Sequence, residues 1–252
     1  LLGCGDEPAD PVEVSETDAD SEVDTGPGWA SLSGTITDSA GAPLTNVRVQ
    51  ACVEDNCRYA EPDASGFYAF VDALEPEPVG HAFDVVVKDP GYVIPLVPLW
   101  FGHGEQRQLD VVVPGKSEDV AVPETDAQDL EVVEGVHITL AQDDLDLNFG
   151  VDGAVAYGAR PDPSIWLPIE GIPGEVQGLW YLSPSDTASL SGGFDWWLEA
   201  STLGGDEGQT YTAWVVDYEH ADWLSAGTLT VQGEKLVPDS KLPILSTLVV
   251  MK

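Results

Sequence analysis

Basic residues are scarce in this chain: nine Lys and Arg stand against forty-five Asp and Glu in 252 residues, a formal net charge of −36. Such a balance repels phosphate backbones and anionic lipid headgroups, so nucleic acid is excluded as a partner. No uninterrupted apolar run approaches the ~18 residues of a membrane helix. Nor does an apolar period of 3.6 persist for the ~12 residues that would announce a helix. Catalytic signatures are missing too: there is no Gly-x-Ser-x-Gly, His-Glu-x-x-His, Gly-rich phosphate loop or Ser-x-x-Lys, and His81, His103, His137 and His220 are scattered. Carboxylate pairs such as Asp217 with Glu219 carry no weight in so acidic a chain. The expectation is a protein without catalysis and without a cofactor. What is present suffices for folding, since 43% of the residues are hydrophobic and the length allows two domains.

Between Gly5 and Gly28 there are nine carboxylates, no basic residue and no aromatic. That composition reads as a disordered tether, spanning roughly 25 to 30 Å root-mean-square if it behaves as a flexible coil. In front of it, Leu1-Leu2-Gly3-Cys4 followed by Gly5 resembles a bacterial lipobox. The resemblance implies that residues 1–3 are the remnant of a signal peptide, that Cys4 carries the lipid, and that the membrane is a partner through that lipid alone. Gly5, where Asp would retain a lipoprotein at the inner membrane, resembles proteins sent to the outer membrane of the cell envelope.

From Trp29 to Pro114 the apolar period is two. Leu32, Gly34 and Ile36 alternate with Ser33, Thr35 and Thr37, and the runs Val47 to Val49, Phe67 to Phe70, Phe83 to Val87 and Leu109 to Val113 are short and bounded by turn residues. This predicts an antiparallel β-sandwich. The segments Gly34-Thr-Ile-Thr-Asp38-x-x-Gly41-x-Pro43-Leu44-x-x-Val47-x-Val49 and Asp63-x-x-Gly66-Phe67-Tyr68-x-Phe70 resemble the carboxypeptidase regulatory-like domain. That family has a transthyretin-like fold, and the matched positions are structural in it, so the resemblance implies no catalytic residue.

Residues 115–128 are polar and acidic, as in a linker. From 129 to 252 a second all-β unit follows, with strands predicted at 136–141, 145–151, 154–157, 165–169, 176–182, 194–200, 209–218, 227–232 and 244–251, as in an immunoglobulin-like sandwich. The fold class is therefore all-β: an acidic tether, then two antiparallel sandwiches.

Three groups of residues are candidate sites. Cys52 and Cys57 flank the turn-like stretch Val53 to Asn56, which favours a hairpin disulfide; no third Cys or nearby His completes a zinc set, and the spacing is not Cys-x-x-Cys. Asp143, Asp144 and Asp146 are the nearest approach to a calcium loop, but a helix-loop-helix site needs Gly where Phe149 stands and Glu where Val155 stands. The alternation of Leu145, Leu147, Phe149 and Val151 favours a strand with one wet face, leaving a structural calcium in the turn as the alternative. Six of the eight Trp lie in the second unit. Trp180 and Trp214 sit in apolar runs and are expected in the core, whereas of the adjacent Trp196 and Trp197 one must face outward. An exposed pair could stack on a sugar ring. The reading that emerges is a lipid-anchored envelope protein with a structural or ligand-binding role, its ligand a glycan or another envelope protein. A carbohydrate module using Trp196 and Trp197 is the first alternative and a hydrolase with an unfamiliar site the second.

Overall fold

The computed structural model describes residues 28–54, 56–147 and 153–252. Cys4, the lipobox-like segment, nearly all of the acidic tether and residues 148–152 lie outside them. The described part is all-β; its only helical elements are single 3-10 turns at Gln142–Asp144, Pro163–Ile165 and Ala200–Thr202.

The first unit comprises β1 (Ala30–Asp38), β2 (Val47–Val53), β3 (Asn56–Ala60), β4 (Phe67–Leu74), β5 (Gly80–Val87), β6 (Leu96–Trp100), β7 (Gln106–Gln108) and β8 (Val111–Val113). Alternation in β1 buries Ala30, Leu32 and Ile36 on one face, which is why it forms a sheet surface. One sheet runs β4-β1-β7, with β8 also paired to β1; the other runs β3-β2-β5-β6. They enclose a core that includes Leu32, Ile36, Val49, Tyr68, Phe83 and Leu99. Two aspartates set the turns. The Asp38 Oδ1 accepts from the Ala40 and Ala42 amides, and the Asp63 Oδ1 from the Ser65 and Phe67 amides, while Gly41 and Gly66 take the left-handed conformation at φ +81° and +80°.

The second unit adds β9 (Val120–Ala121), β10 (Gln128–Val133), β11 (Val136–Leu140), β12 (Leu145–Asp146), β13 (Val155–Ala159), β14 (Val176–Ser183), β15 (Thr187–Ser189), β16 (Trp196–Glu199), β17 (Thr210–Asp217), β18 (Asp222–Gln232), β19 (Lys235–Pro238), β20 (Ile244–Leu245) and β21 (Thr247–Met251). Its main sheet runs β10-β11-β16-β19-β18-β17-β21-β14-β13-β9, and β10 returns to lie beside β13 and β9, so the sheet nearly closes on itself. The short sheet β12-β15-β20 packs on the same core, around Ile138, Trp180, Leu198, Val215, Leu236 and Leu248.

The two units are not beads on a string. A further apolar cluster joins Cys52, Ala82, Val93 and Leu96 of the first to Tyr181, Val216, Trp223, Val249 and Met251 of the second. The strands at this contact carry runs without alternation, His81 to Val85 in β5 and all of β21 being buried, because both of their faces are covered. Residues 115–128, expected as a linker, are docked along their length: the Lys116 amide donates to Gly91 O, the Ser117 amide to Gly158 O, and β9 pairs with β13.

The expected strand at 165–169 does not form. Pro161, Pro163, Pro168 and Pro173 remove the amides a ladder needs, and the segment instead spends its apolar residues on the first unit, burying Leu167 in that core. Glu170 reaches the Arg107 guanidinium at 3.1 Å and its carbonyl accepts from the Trp223 indole at 2.7 Å, so residues 161–175 clasp the units together.

Polar groups are trapped at the same contact. Asp84 is buried; its Oδ2 accepts from Gln50 Nε2 at 2.7 Å, its Oδ1 has no partner, and burial pushes its carboxyl up to about 7. Gln50 Nε2 also donates to the Tyr218 hydroxyl of the second unit, 3.3 Å away.

Candidate functional site

Where the end of β1 meets the start of the second unit, the packed sandwiches leave a cleft of about 700 Å³. Its lining includes Thr37 and Asp38 of the first unit, Val133, Arg160 and Asp162 of the second, and Lys116 with Ser117 of the segment that joins them. A concavity of this size at a domain boundary is the usual setting for a small-ligand site.

Two of the nine basic residues of the chain reach this cleft, and both are already compensated. Lys116 Nζ lies 2.6 Å from Asp119 and 4.6 Å over the Tyr157 ring. Arg160 donates to Thr202 O at 2.6 Å, lies 3.7 Å from Glu134 and covers the buried Trp180 ring. The carboxylates are likewise engaged. Asp38 holds its own turn, and Asp162 caps the 163–165 turn by accepting from the Ser164 amide and hydroxyl, bonds that hold its carboxyl below the ordinary range. Ser164 with Asp162 is therefore a capping contact, in which the carboxylate is a weaker base than usual. Ser117 is also committed: its hydroxyl donates to Val132 O and accepts from the Gly158 amide. The cleft offers fixed polar edges beside apolar patches from Val112, Pro114 and Ile165, with little net charge to place on a ligand.

The residues singled out from the sequence fare differently. Cys52 and Cys57 are bonded, facing each other across the β2–β3 hairpin, with Cys52 buried and the Tyr218 hydroxyl of the second unit 2.9 Å from its sulfur. Cys4 lies outside the described residues. Of the calcium candidates, Asp144 instead clasps a turn: its oxygens accept from the Ser189 hydroxyl and from the Ser191 amide and hydroxyl. Asp143 and Asp146 are exposed, and among the described residues the carboxylates at 143, 144 and 146 do not converge on a common point.

Neither Trp of the adjacent pair is free to stack on a sugar. Trp196 is buried, with its indole N–H donating to Ser240 O. Trp197 points outward, but His137 stacks on it at 3.7 Å and 9°, and Lys235 Nζ lies 3.6 Å over its ring. Since β11 and β19 flank β16 on opposite sides, these two neighbours cover opposite faces of the indole. Trp180 is buried as expected, and Trp214 is half-buried. The cleft residues were missed because nothing local marks them; the only signal was that Lys116 and Arg160 are rare cations beside Gly and Pro turns.

No family model and no curated protein matches this chain. Among solved structures it is similar to a protein of Bacteroides uniformis to which carbohydrate binding is provisionally ascribed, at 11% identity and a TM-score of 0.27, over 90% of this chain and 80% of that one. At that level of likeness nothing about function transfers.

Proposed function

We propose that the chain is a lipid-anchored protein of the bacterial cell envelope, held at the outer membrane through Cys4, which binds an uncharged, hydroxyl-rich ligand in the cleft between its sandwiches and leaves it unchanged. One observation carries the binding role: both units build the cleft, and each of its charged groups is already held by a neighbouring ion or by turn donors, which suits hydrogen bonding to neutral polar groups rather than capture of an ion. The Cys52–Cys57 disulfide supports export to an oxidising compartment. The lipobox-like Leu1 to Cys4 supports the anchor.

A glycan array followed by calorimetry on the hits tests this reading. Arg160→Ala and Thr37→Ala should each weaken a specific hit by about tenfold or more, the loss of one or two good hydrogen bonds, with folding retained. Undiminished binding in both variants removes the ligand from the cleft. Hydrolysis of a glycan that Asp162→Asn abolishes would overturn the non-catalytic reading.

A further inference from the structure

We propose that Glu131, His137 and Glu199 form a binding site for a first-row divalent metal ion of the Zn²⁺, Co²⁺ or Mn²⁺ class, on the outer face of the second unit and apart from the residues that line the cleft. The placement follows from strand register. Glu131 of β10 is directly opposite His137 of β11, His137 is opposite Trp197 of β16, and Glu199 lies two residues further along β16 on the same face. One ligand atom from each of the three lies within 4.8 Å of the others. Tetrahedral ligands at bond lengths of about 2.0 to 2.2 Å are about 3.4 Å apart, so closing the site asks only small adjustments of two long Glu side chains.

The histidine points to a ligand by itself. Its Nε2 is buried and has no hydrogen-bond partner, the Glu199 carboxylate standing 3.7 Å away, beyond hydrogen-bond reach. A buried imidazole nitrogen with nothing to bond is costly unless something else occupies it. Its ring is already fixed: the Trp197 indole stacks on it, and Asp129 lies 3.8 Å from Nδ1 while accepting from the Trp197 indole N–H at 3.1 Å. Asp129 is too far from Nδ1 for a hydrogen bond as it stands, but a shift of under about 1 Å would make it the carboxylate support usual behind a metal-bound His. Glu131 is oriented through its bond from the Gly135 amide. Lys235, the cation nearby, sits on the other side of the indole. One imidazole nitrogen with two carboxylates suits borderline divalent ions, whereas calcium and magnesium prefer all-oxygen sets.

Cobalt reports on the site directly. The metal-free full-length protein should take up one Co²⁺ tightly, with visible ligand-field absorption and quenching of tryptophan fluorescence that Trp197→Phe largely removes. His137→Gln should weaken this binding at least ~30-fold, and Glu199→Gln at least ~10-fold, on the scale by which metal sites respond to loss of ligands or their supports. Glu131→Gln, which changes an exposed carboxylate and leaves the stacked rings undisturbed, should also weaken it at least ~10-fold. A chain this acidic collects cations loosely as well, so the variants decide. Cobalt uptake unchanged by His137→Gln or by Glu131→Gln, or no saturable binding below about 1 mM, overturns the site.

Discussion

Replacing Asp84 with Asn should stabilise the protein above neutral pH and destabilise it by about 1 to 2 kcal/mol near pH 4. The carboxyl rises from its ordinary 3.8 to about 7, first because burial strips its water, while the bond from Gln50 and the charge of Arg48 pull it down and Asp186 pushes it up. The folded value lies above the unfolded one, so the folded protein holds the proton longer. Ionising the unfolded chain therefore costs stability as pH rises from about 4 to 7, and the loss stays constant beyond. The rise corresponds to about 4 kcal/mol. Asn still receives the Gln50 bond but places an unpaired donor where Oδ1 stood, at about 1 to 2 kcal/mol, leaving a gain of about 2 to 3 kcal/mol at pH 8. His81 works in the opposite sense. Burial, and then Arg58, lower it to about 4, so its contribution, about 3 kcal/mol, is lost as pH falls from 6.5 towards 4. In the wild type the two offset each other across one window; in Asp84→Asn only His81 remains, and stability should fall more steeply on acidification. Urea titrations of both proteins at pH 4, 6 and 8 measure this. A variant no more stable than wild type at pH 8, or equally stabilised at pH 4, would show that the carboxyl is not buried as a charge at the contact.

Two further outcomes are expected. Cys57→Ser should lower stability by about 2 kcal/mol on the chain-entropy estimate for so short a loop, read as a shift in urea midpoint; two alkylatable thiols in the exported wild-type protein would defeat the disulfide. The unmodified full-length protein should partition into detergent and take up labelled palmitate, and Cys4→Ser should release it to the soluble fraction; wild-type protein recovered only as a soluble form with an unlipidated Cys4 refutes the anchor.

Much of the framework was legible because it is local. Alternation around Leu32 and Ile36, the turns set by Asp38 with Gly41 and Asp63 with Gly66, and the hairpin between Cys52 and Cys57 each depend on residues a few positions apart. Strand β6 was hidden by Pro98, which survives there because β6 is the edge of its sheet. Short β15 and β19 were too brief for any period to show.

The all-β class, the main turns and the covalent pair could be read from the chain, since side-chain alternation and turn chemistry are written in consecutive residues. Tertiary structure alone decided that the units share a core, that Leu167 belongs to the first, that both faces of Trp197 are covered, and that Glu131, His137 and Glu199 meet. Those outcomes depend on which apolar faces remain unpaired after each sheet forms and on strand neighbours distant in the chain, and a period of two says which face is apolar without saying what will cover it.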